Sequence, residues 1–364
     1  MEKQVIRIAL DDFVIKSGEM SFFLDILKEK YQIIEVEEQP DIVFYSCFGL
    51  KHLKRKNCVK VLICQENVIP DFNECDYAIS CAPISFGKRH FYLPPYLATH
   101  LSKTTVAPPA PATAAARRKF CSFIYSQDNS GAGSMLRKEF CEQLMKYKNV
   151  DCPGKILHNI DIPDLSARFS DNWNQSKIEF LSNYKFNIAF ENSYSEGYVT
   201  EKLMDCFLAG TIPIYWGGYH DNLKVPKESM IFVNEYDDFD SVIAAIRELD
   251  ENDELYLSKL RANPLLNGYD FAPVKDALRL FLHNIIEHRL TPYEKDERAF
   301  GNASILKILA HSGALLPAYL ALGALQAFWR FINPVLPSFL QAAPKYTRQQ
   351  DHWLLYKISS YFRK

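Results

Sequence analysis

With 364 residues, 48% of them apolar and 24% charged, the chain is long enough for two or three domains and too apolar for wholesale disorder. Its 42 Lys and Arg against 44 Asp and Glu give a net charge of −2, without the basic excess of a dedicated nucleic-acid binder. Aromatic residues reach 13%, which suits a protein that stacks on sugars or bases and suits a large core equally well.

In chain order, Val5–Leu10 reads as a strand. The acids Asp11 and Asp12 that follow it, with Lys3 before it, do not fit a signal peptide. Phe22–Tyr31 has helical periodicity, and Ile33–Val36, Asp41–Ser46, Val59–Cys64 and Tyr77–Cys81 are further short apolar strands. Strand alternating with helix predicts a parallel sheet of βαβ units over residues 1–104. No GxGxxG follows the first strand, so the hydride-transfer dinucleotide fold lacks its fingerprint. Residues 105–118, rich in Ala and Pro with a basic end, read as a linker or exposed crossover. Beyond them come a strand at Cys121–Ser126, a Gly-bearing turn at Asp128–Ser134 and a helix at Met135–Tyr147. A strand at Phe186–Phe190, a helix at Thr200–Ala209 closed by Gly210, and a strand at Ile212–Trp216 continue the pattern. Ile231–Asn234, Ser241–Leu249 and a long closing helix at Pro273–Leu290 complete a second doubly wound α/β domain over 119–290. The expected architecture is two such domains with a cleft between them.

The tail, 291–364, is expected to be helical and basic. Ile308–Trp329 is long enough to cross a bilayer, but Pro317, Gly313, Ser312, His311 and Gln326 weaken that reading. In Arg330–Lys364, six basic residues accompany one acid. There Leu354, Leu355, Ile358, Tyr361 and Phe362 form one helical stripe, with Lys357, Ser360, Arg363 and Lys364 off it. Spanning, lying on a membrane surface and packing on the protein all stay open; the basic excess favours the surface.

The nine cysteines are odd in number and show no CxxC spacing. They read as reduced, buried thiols, which points to a cytoplasmic compartment. The sequons at Asn174 and Asn302 carry no meaning in that compartment. Asp238-Phe-Asp240 formally matches a metal–nucleotide DxD, yet its position at the start of a helix favours capping. The basic run Lys51–Lys60 reads as a solvated face, with anionic lipid as the alternative. No zinc spacing, P-loop or GxSxG elbow is present.

The chemistry concentrates in Tyr184–Gly218, YKFNIAFENSYSEGYVTEKLMDCFLAGTIPIYWGG. A strand delivers Glu191 and Asn192 at its carboxyl end, a loop runs over Ser193–Val199, and a helix begins near Thr200 with Glu201 and Lys202 in its first turn. Helix N-termini beyond strand ends favour anions, so the Glu suits ribose hydroxyls and the Lys a diphosphate. Spacing alone favours instead a first-turn acid that complements the helix dipole beside a solvated lysine.

This stretch, through FENSYSEGYVTEK and IPIYWGG, is similar almost residue for residue to the signature of glycosyltransferase family 10, the α1,3/4-fucosyltransferases, in their Helicobacter-type bacterial form. Weaker similarity covers most of residues 1–290, including QENVIPDFNECDYAIS at Gln65–Ser80 and SFIYSQDNSGAGSMLRKEF at Ser122–Phe140. The resemblance implies a GT-B fold and inverting transfer of L-fucose from GDP-fucose to a GlcNAc hydroxyl. By the same resemblance the catalytic base falls on Glu66, the cleft-lining arginine on Arg137 and the donor-site pair on Glu201 and Lys202. The donor-lining positions become Asn192, Ser193, Tyr198, Val199 and Thr200. A carboxylate at the end of strand Val59–Cys64 suits the base's role, and Arg137 and Lys202 suit the charge growing on the leaving β-phosphate. For Glu66 the alternative is a strand-end acid capping the turn before Pro70. The sequence departs from the family pattern where Gln65 stands in place of a glycine, at the Ala/Pro stretch, and in lacking the heptad repeats of some members.

The expected product is α1,3-fucosylated N-acetyllactosamine (Lewis x type) on lipopolysaccharide O-antigen, made by a protein peripheral on a bacterial inner membrane. The acceptor is Galβ1,4GlcNAc, or Galβ1,3GlcNAc if linkage is α1,4 or dual. No cofactor is required by this chemistry, with a divalent metal at most stimulatory. Another nucleotide sugar on the same scaffold, or a non-catalytic glycan-binding relative, are the alternatives.

Overall fold

Apolar runs bounded by turn residues become parallel strands. The computed structural model describes residues 3–14, 16–101, 119–126, 132–166, 173–223, 225–267, 270 and 272–290. The Ala/Pro stretch 105–118, most of the turn expected at 128–134 and the tail 291–364 lie outside the described residues.

The first sheet comprises β1 (Val5–Asp11), β2 (Gln32–Glu35), β3 (Ile42–Tyr45), β4 (Val59–Cys64), β5 (Tyr77–Ser80) and β6 (His90–Tyr92), in the order β2-β1-β3-β4-β5-β6. Every pairing is parallel, with Ile8 opposite Ile42, Phe44 opposite Val61, and Ile63 opposite Ile79. Its helices are α1 (Lys16–Lys30) and α2 (Pro95–Leu101). The second sheet holds β7 (Lys119–Ser122), β8 (Val150–Asp151), β9 (Tyr184–Phe190), β10 (Ile212–Trp216) and β11 (Ile231–Phe232), again parallel, in the order β11-β10-β9-β7-β8. Its helices are α3 (Ala132–Leu144), α4 (Pro163–Ser166), α5 (Trp173–Leu181), α6 (Glu201–Ala209), α7 (Phe239–Glu251) and α8 (Asp253–Arg261). In both sheets the chain starts centrally, moves one way and then returns to the other side of its first strand. Each sheet therefore has a topological switch point, at β1/β3 and at β7/β9, and ligands bind beyond the strand ends at such points.

One apolar cluster joins the two halves: Phe44, Val61, Ile63 and Ile79 of the first sheet with Leu203 and Phe207 of α6 and Leu278 and Leu282 of α9 (Ala272–Glu287). The closing helix α9 rests on the first sheet's layer. Arg279 pairs with Glu29 at 2.8 Å, Lys30 with Glu287 at 3.2 Å, and Phe281 packs edge-on to Tyr77. The second sheet has its own core of Phe123, Phe140, Phe186, Phe190, Val242 and Ile246.

Asp238 caps α7, accepting from the Ser241 backbone N–H at 2.8 Å, as its position predicts. The expectation of a wholly solvated basic run at Lys51–Lys60 is corrected. Lys51 and Arg55 turn inward onto buried Asp11, with Arg55 gripping both carboxylate oxygens at 2.8 and 3.0 Å. Lys54 and Lys56 stay exposed.

All nine cysteines are free and buried. Burial pushes the thiols of Cys81 and Cys206 up to about 12. A thiol reagent is expected to label the native protein slowly and to titrate nine groups only after denaturation. Rapid native labelling of any cysteine would contradict this packing.

Candidate active site

The two switch points differ in one respect. In the first sheet the crevice is filled from within. Asp12, at φ 62°, turns its carboxylate onto the backbone N–H groups of Lys51 (2.9 Å) and His52 (3.1 Å) and onto His52 Nδ1 (2.5 Å). A side chain at Gly49 would overlap that carboxylate. His52 is fully buried, stacked at 3.8 Å on Tyr45, with its Nε2 3.4 Å from Glu74.

In the second sheet the crevice is built from backbone and charge. The N-terminal turn of α3 abuts the end of β9, where Gly133 N–H donates to the Asn192 carbonyl at 3.1 Å. A Cβ on Gly133 would overlap the Glu191 carbonyl and stand 2.6 Å from the Trp216 ring. Gly133→Ala must therefore push α3 off β9. It is expected to cost about 1–3 kcal/mol of stability, read as a lowered melting temperature.

At the end of β9, Glu191 is wholly buried. Its carboxylate accepts from the Thr200 backbone N–H (2.8 Å) and the Thr200 hydroxyl (2.8 Å), and pairs with Lys202 at 3.3 Å. Thr200 caps α6, and the Lys202 ammonium donates to its hydroxyl at 2.8 Å. Gly210 ends α6 in the left-handed region at φ 58°. This local sequence, strand–Glu–loop–Thr–Glu–Lys, thus folds Lys202 back over the strand end rather than into solvent. Burial works against the charge on Lys202, but Glu191 and Glu201 hold its ammonium well above the usual lysine range. Burial would also raise Glu201; Lys202 and Lys177 outweigh it and hold that carboxyl at about 2. Lys177 is itself buried on α5 and bonded to Asp205 of α6 at 2.8 Å. Glu191 goes the other way: burial raises its carboxyl, with Lys202 and Thr200 only partly opposing.

Behind this cluster Arg137 of α3, 4% exposed, places its guanidinium carbon over the Tyr125 ring, 3.9 Å from the centroid. The Tyr125 hydroxyl sits within bonding distance of the Ile188 and Phe190 carbonyls, at 3.0 and 3.1 Å. Arg137, Lys202 and Glu191 all act electrostatically on that hydroxyl, after burial itself.

Glu66 follows β4 in the first half and is exposed. Its neighbour Asn67 donates through Nδ2 to the Ser193 hydroxyl at 2.9 Å, so the turn carrying Glu66 touches the loop after β9. That loop leans on the first half elsewhere too. The Tyr92 hydroxyl donates to the Gly197 carbonyl (3.2 Å), and the Tyr96 N–H to the Val199 carbonyl (3.3 Å). Gly197, at φ 83°, fits where a Cβ would press to 2.7 Å on the Cys81 carbonyl. Tyr198 is buried, and after burial the carboxylates of Glu66, Glu191 and Glu201 push its hydroxyl well up. One tyrosine therefore senses acids from both halves.

The residues singled out in the sequence are thus gathered as follows. Asn192, Ser193, Thr200, Glu201 and Lys202 cluster at the β9 end, and Glu66 stands on the facing turn. Tyr198 and Val199 are buried beneath the loop, so their side chains shape it from below. Sequence reasoning left Glu191, Gly133 and Tyr125 without a role. Glu191 carried one signal, its position at a strand's carboxyl end two residues before a polar loop.

Comparison with known proteins bears on the same residues. Residues 8–99 match the alpha-(1,3)-fucosyltransferase FucT N-terminal domain, and residues 114–261 match the glycosyltransferase family 10 (fucosyltransferase) C-terminal region. The chain belongs to glycosyltransferase family 10. It is 29% identical over 292 residues to the alpha-(1,3)-fucosyltransferase FucT of Helicobacter pylori, a match covering 70% of this chain and 58% of that protein. It is 33% identical over 142 residues to the GDP-fucose protein O-fucosyltransferase 3 of Xenopus tropicalis, covering 39% of this chain and 30% of that one. The chain thus spans less than two thirds of these relatives' lengths. In architecture it is similar to a crystal structure of an alpha1,3-fucosyltransferase with GDP. The TM-score is 0.62 and the identity 25%, with 81% of this chain and 93% of the other covered. This family-10 chain has the α/β, two-sheet GT-B arrangement expected from its sequence.

Proposed function

We propose that the protein is an inverting, GDP-fucose-dependent fucosyltransferase. The observation that carries this reading is the contact between the two halves: the turn that holds Glu66 touches the loop before α6 through Asn67 and Ser193, and Tyr198 feels the carboxylates of both Glu66 and Glu201. Inversion in one step needs a base on one side of the sugar carbon and charge stabilisation for the leaving group on the other. Glu66 takes the proton of the acceptor hydroxyl as its oxygen bonds to the sugar carbon. The bond from that carbon to the β-phosphate breaks, and GDP leaves with the electron pair. Lys202, Arg137 and the N-terminal turn of α3 receive the growing negative charge. Glu201, kept ionised by Lys202 and Lys177, is suited to accept hydrogen bonds from ribose hydroxyls. Asn192 and Ser193 line the same loop.

The acceptor we propose is the GlcNAc of an N-acetyllactosamine-type chain, with α1,3 linkage, on lipopolysaccharide O-antigen. The protein would act at the cytoplasmic face of a bacterial inner membrane, held there by its basic tail. Similarity to alpha-(1,3)-fucosyltransferases supports the linkage. Among the described residues no helix is long and apolar enough to cross a membrane.

The test is incubation of the full chain with GDP-fucose and either Galβ1,4GlcNAc or Galβ1,3GlcNAc, with the product read by mass and linkage analysis. Transfer to the first acceptor with α1,3 linkage is expected. Transfer only to the second would make the enzyme α1,4-specific. Failure of GDP-fucose to bind would overturn the donor assignment.

A further inference from the structure

The turn that carries Glu66 is anchored from two directions within the protein. From below, the Glu66 carbonyl accepts from the Val68 N–H at 2.7 Å and faces two buried thiols. Cys81 Sγ donates to it at 3.3 Å and Cys64 Sγ at 3.6 Å. These contacts fix the backbone from which the carboxylate projects. From across the cleft, the amide of Asn67 donates to Ser193 Oγ at 2.9 Å. Ser193 is buried, and its hydroxyl donates onward to Asn192 Oδ1 at 3.2 Å. The Asn192 carbonyl in turn accepts from Gly133 N–H at 3.1 Å, at the start of α3. A continuous chain of polar contacts thus runs from the residue beside Glu66 to the helix end beside the donor cluster.

We infer that Asn67, through Ser193, is the positioning residue that sets the distance between Glu66 and the donor-binding loop. This rests on the fucosyltransferase reading above and adds a residue that reading does not use. The two groups that must act together come from different sheets, and a displacement of about 1 Å can cost on the order of 10²-fold in rate. Asn67 is one residue from the carboxylate and Ser193 one residue from Asn192, so this hydrogen bond is a direct tie between the two reacting sides. An asparagine side chain suits the task. It is short, it offers its NH2 to a hydroxyl, and it carries no charge to compete with Glu66 for a proton.

The inference is tested by measuring kcat and KM for transfer in Asn67→Ala, Asn67→Asp, Ser193→Ala and Ser193→Thr, and in Asn67→Ala combined with Ser193→Ala and with Glu66→Gln. Asn67→Ala is expected to lower kcat 10- to 100-fold, with KM for GDP-fucose within about two-fold of wild type. Asn67→Asp, which has no amide donor, should fall equally, while Ser193→Thr, which keeps the hydroxyl, should recover most of the rate. The Asn67/Ser193 double variant should be no slower than the slower single one. In the Glu66→Gln background, Asn67→Ala should cost less than two-fold, because a residue acting through Glu66 has nothing left to position. Multiplicative losses in either combination, or a raised KM for donor with kcat intact, would overturn the inference. Full activity of Glu66→Gln would instead overturn the base assignment, and a wild-type protein that transfers nothing would overturn the function itself. A melting temperature close to wild type for Asn67→Asp separates positioning from folding.

Discussion

Glu66→Gln is expected to lower fucose transfer by about 10²–10⁴-fold while leaving the affinity for GDP-fucose within a few-fold of wild type. The separation follows from the fold. Glu66 projects from the turn after β4 of the first sheet, whereas Glu191, Asn192, Ser193, Glu201 and Lys202 all belong to the stretch after β9 of the second. Gln keeps the size and hydrogen-bonding reach of the side chain, so the turn held by the Glu66 carbonyl is undisturbed and only the proton acceptor is lost. The acceptor hydroxyl must then attack without losing its proton. Azide, an anion that needs no deprotonation, should therefore restore donor turnover in Glu66→Ala, giving a fucosyl azide. A Glu66→Gln variant with more than half the wild-type rate, or a variant that azide does not help, would remove Glu66 from the mechanism and leave it as an acid at a strand end.

How far the sequence carried the fold depended on how local each signal was. Val59–Cys64 and Ile212–Trp216 were legible to the residue, because each is a short continuous apolar run closed by turn residues, as parallel strands buried on both faces are. Helix α6 was legible from Thr200 and Gly210, which cap it as their types suggest. Helix α5 was not foreseen. Its buried face includes Lys177, and a cation interrupts the apolar stripe unless its partner, Asp205 on another helix, is known. Strands β6 and β8, with three and two residues, are too short to carry a period. Nor does chain order say which sheet α9 rests on; that follows from tertiary contacts with α1, Tyr77 and Phe91. The site divides the same way. Glu201 and Lys202 stand out through a contiguous motif. The part played by Glu191 depends on Thr200 and Lys202 folding back across nine and eleven residues, which no spacing rule anticipates.

That buried carboxylate gives the second large effect. Lys202→Ala leaves Glu191 wholly buried with Thr200 but without its cation, and removing one member of a buried pair costs about 3–5 kcal/mol. The low end is expected here, since Lys202 is itself 19% exposed. The loss should depend on pH in a definite direction. Burial already raises the Glu191 carboxyl above its ordinary value near 4.5, and without Lys202 it rises further. A group whose folded pKa is raised stabilises the protein fully below its unfolded pKa, and that contribution is lost as pH climbs through the folded value. Lys202→Ala should accordingly melt at progressively lower temperature from pH 5 to pH 8, more steeply than wild type. In wild type Glu201 adds no slope over that interval, because its carboxyl is held at about 2. Adding Glu191→Gln removes the buried charge. The double variant should regain most of the stability and lose the steep pH dependence, yet transfer should remain about 10²–10³-fold down, because no ammonium meets the leaving β-phosphate. Stability restored and activity not restored is the signature that divides the two duties of Lys202. If the double variant recovers both, Lys202 serves only to neutralise Glu191. If Lys202→Ala melts with the same pH dependence as wild type, the ion pair at the end of β9 is not what holds this loop in place.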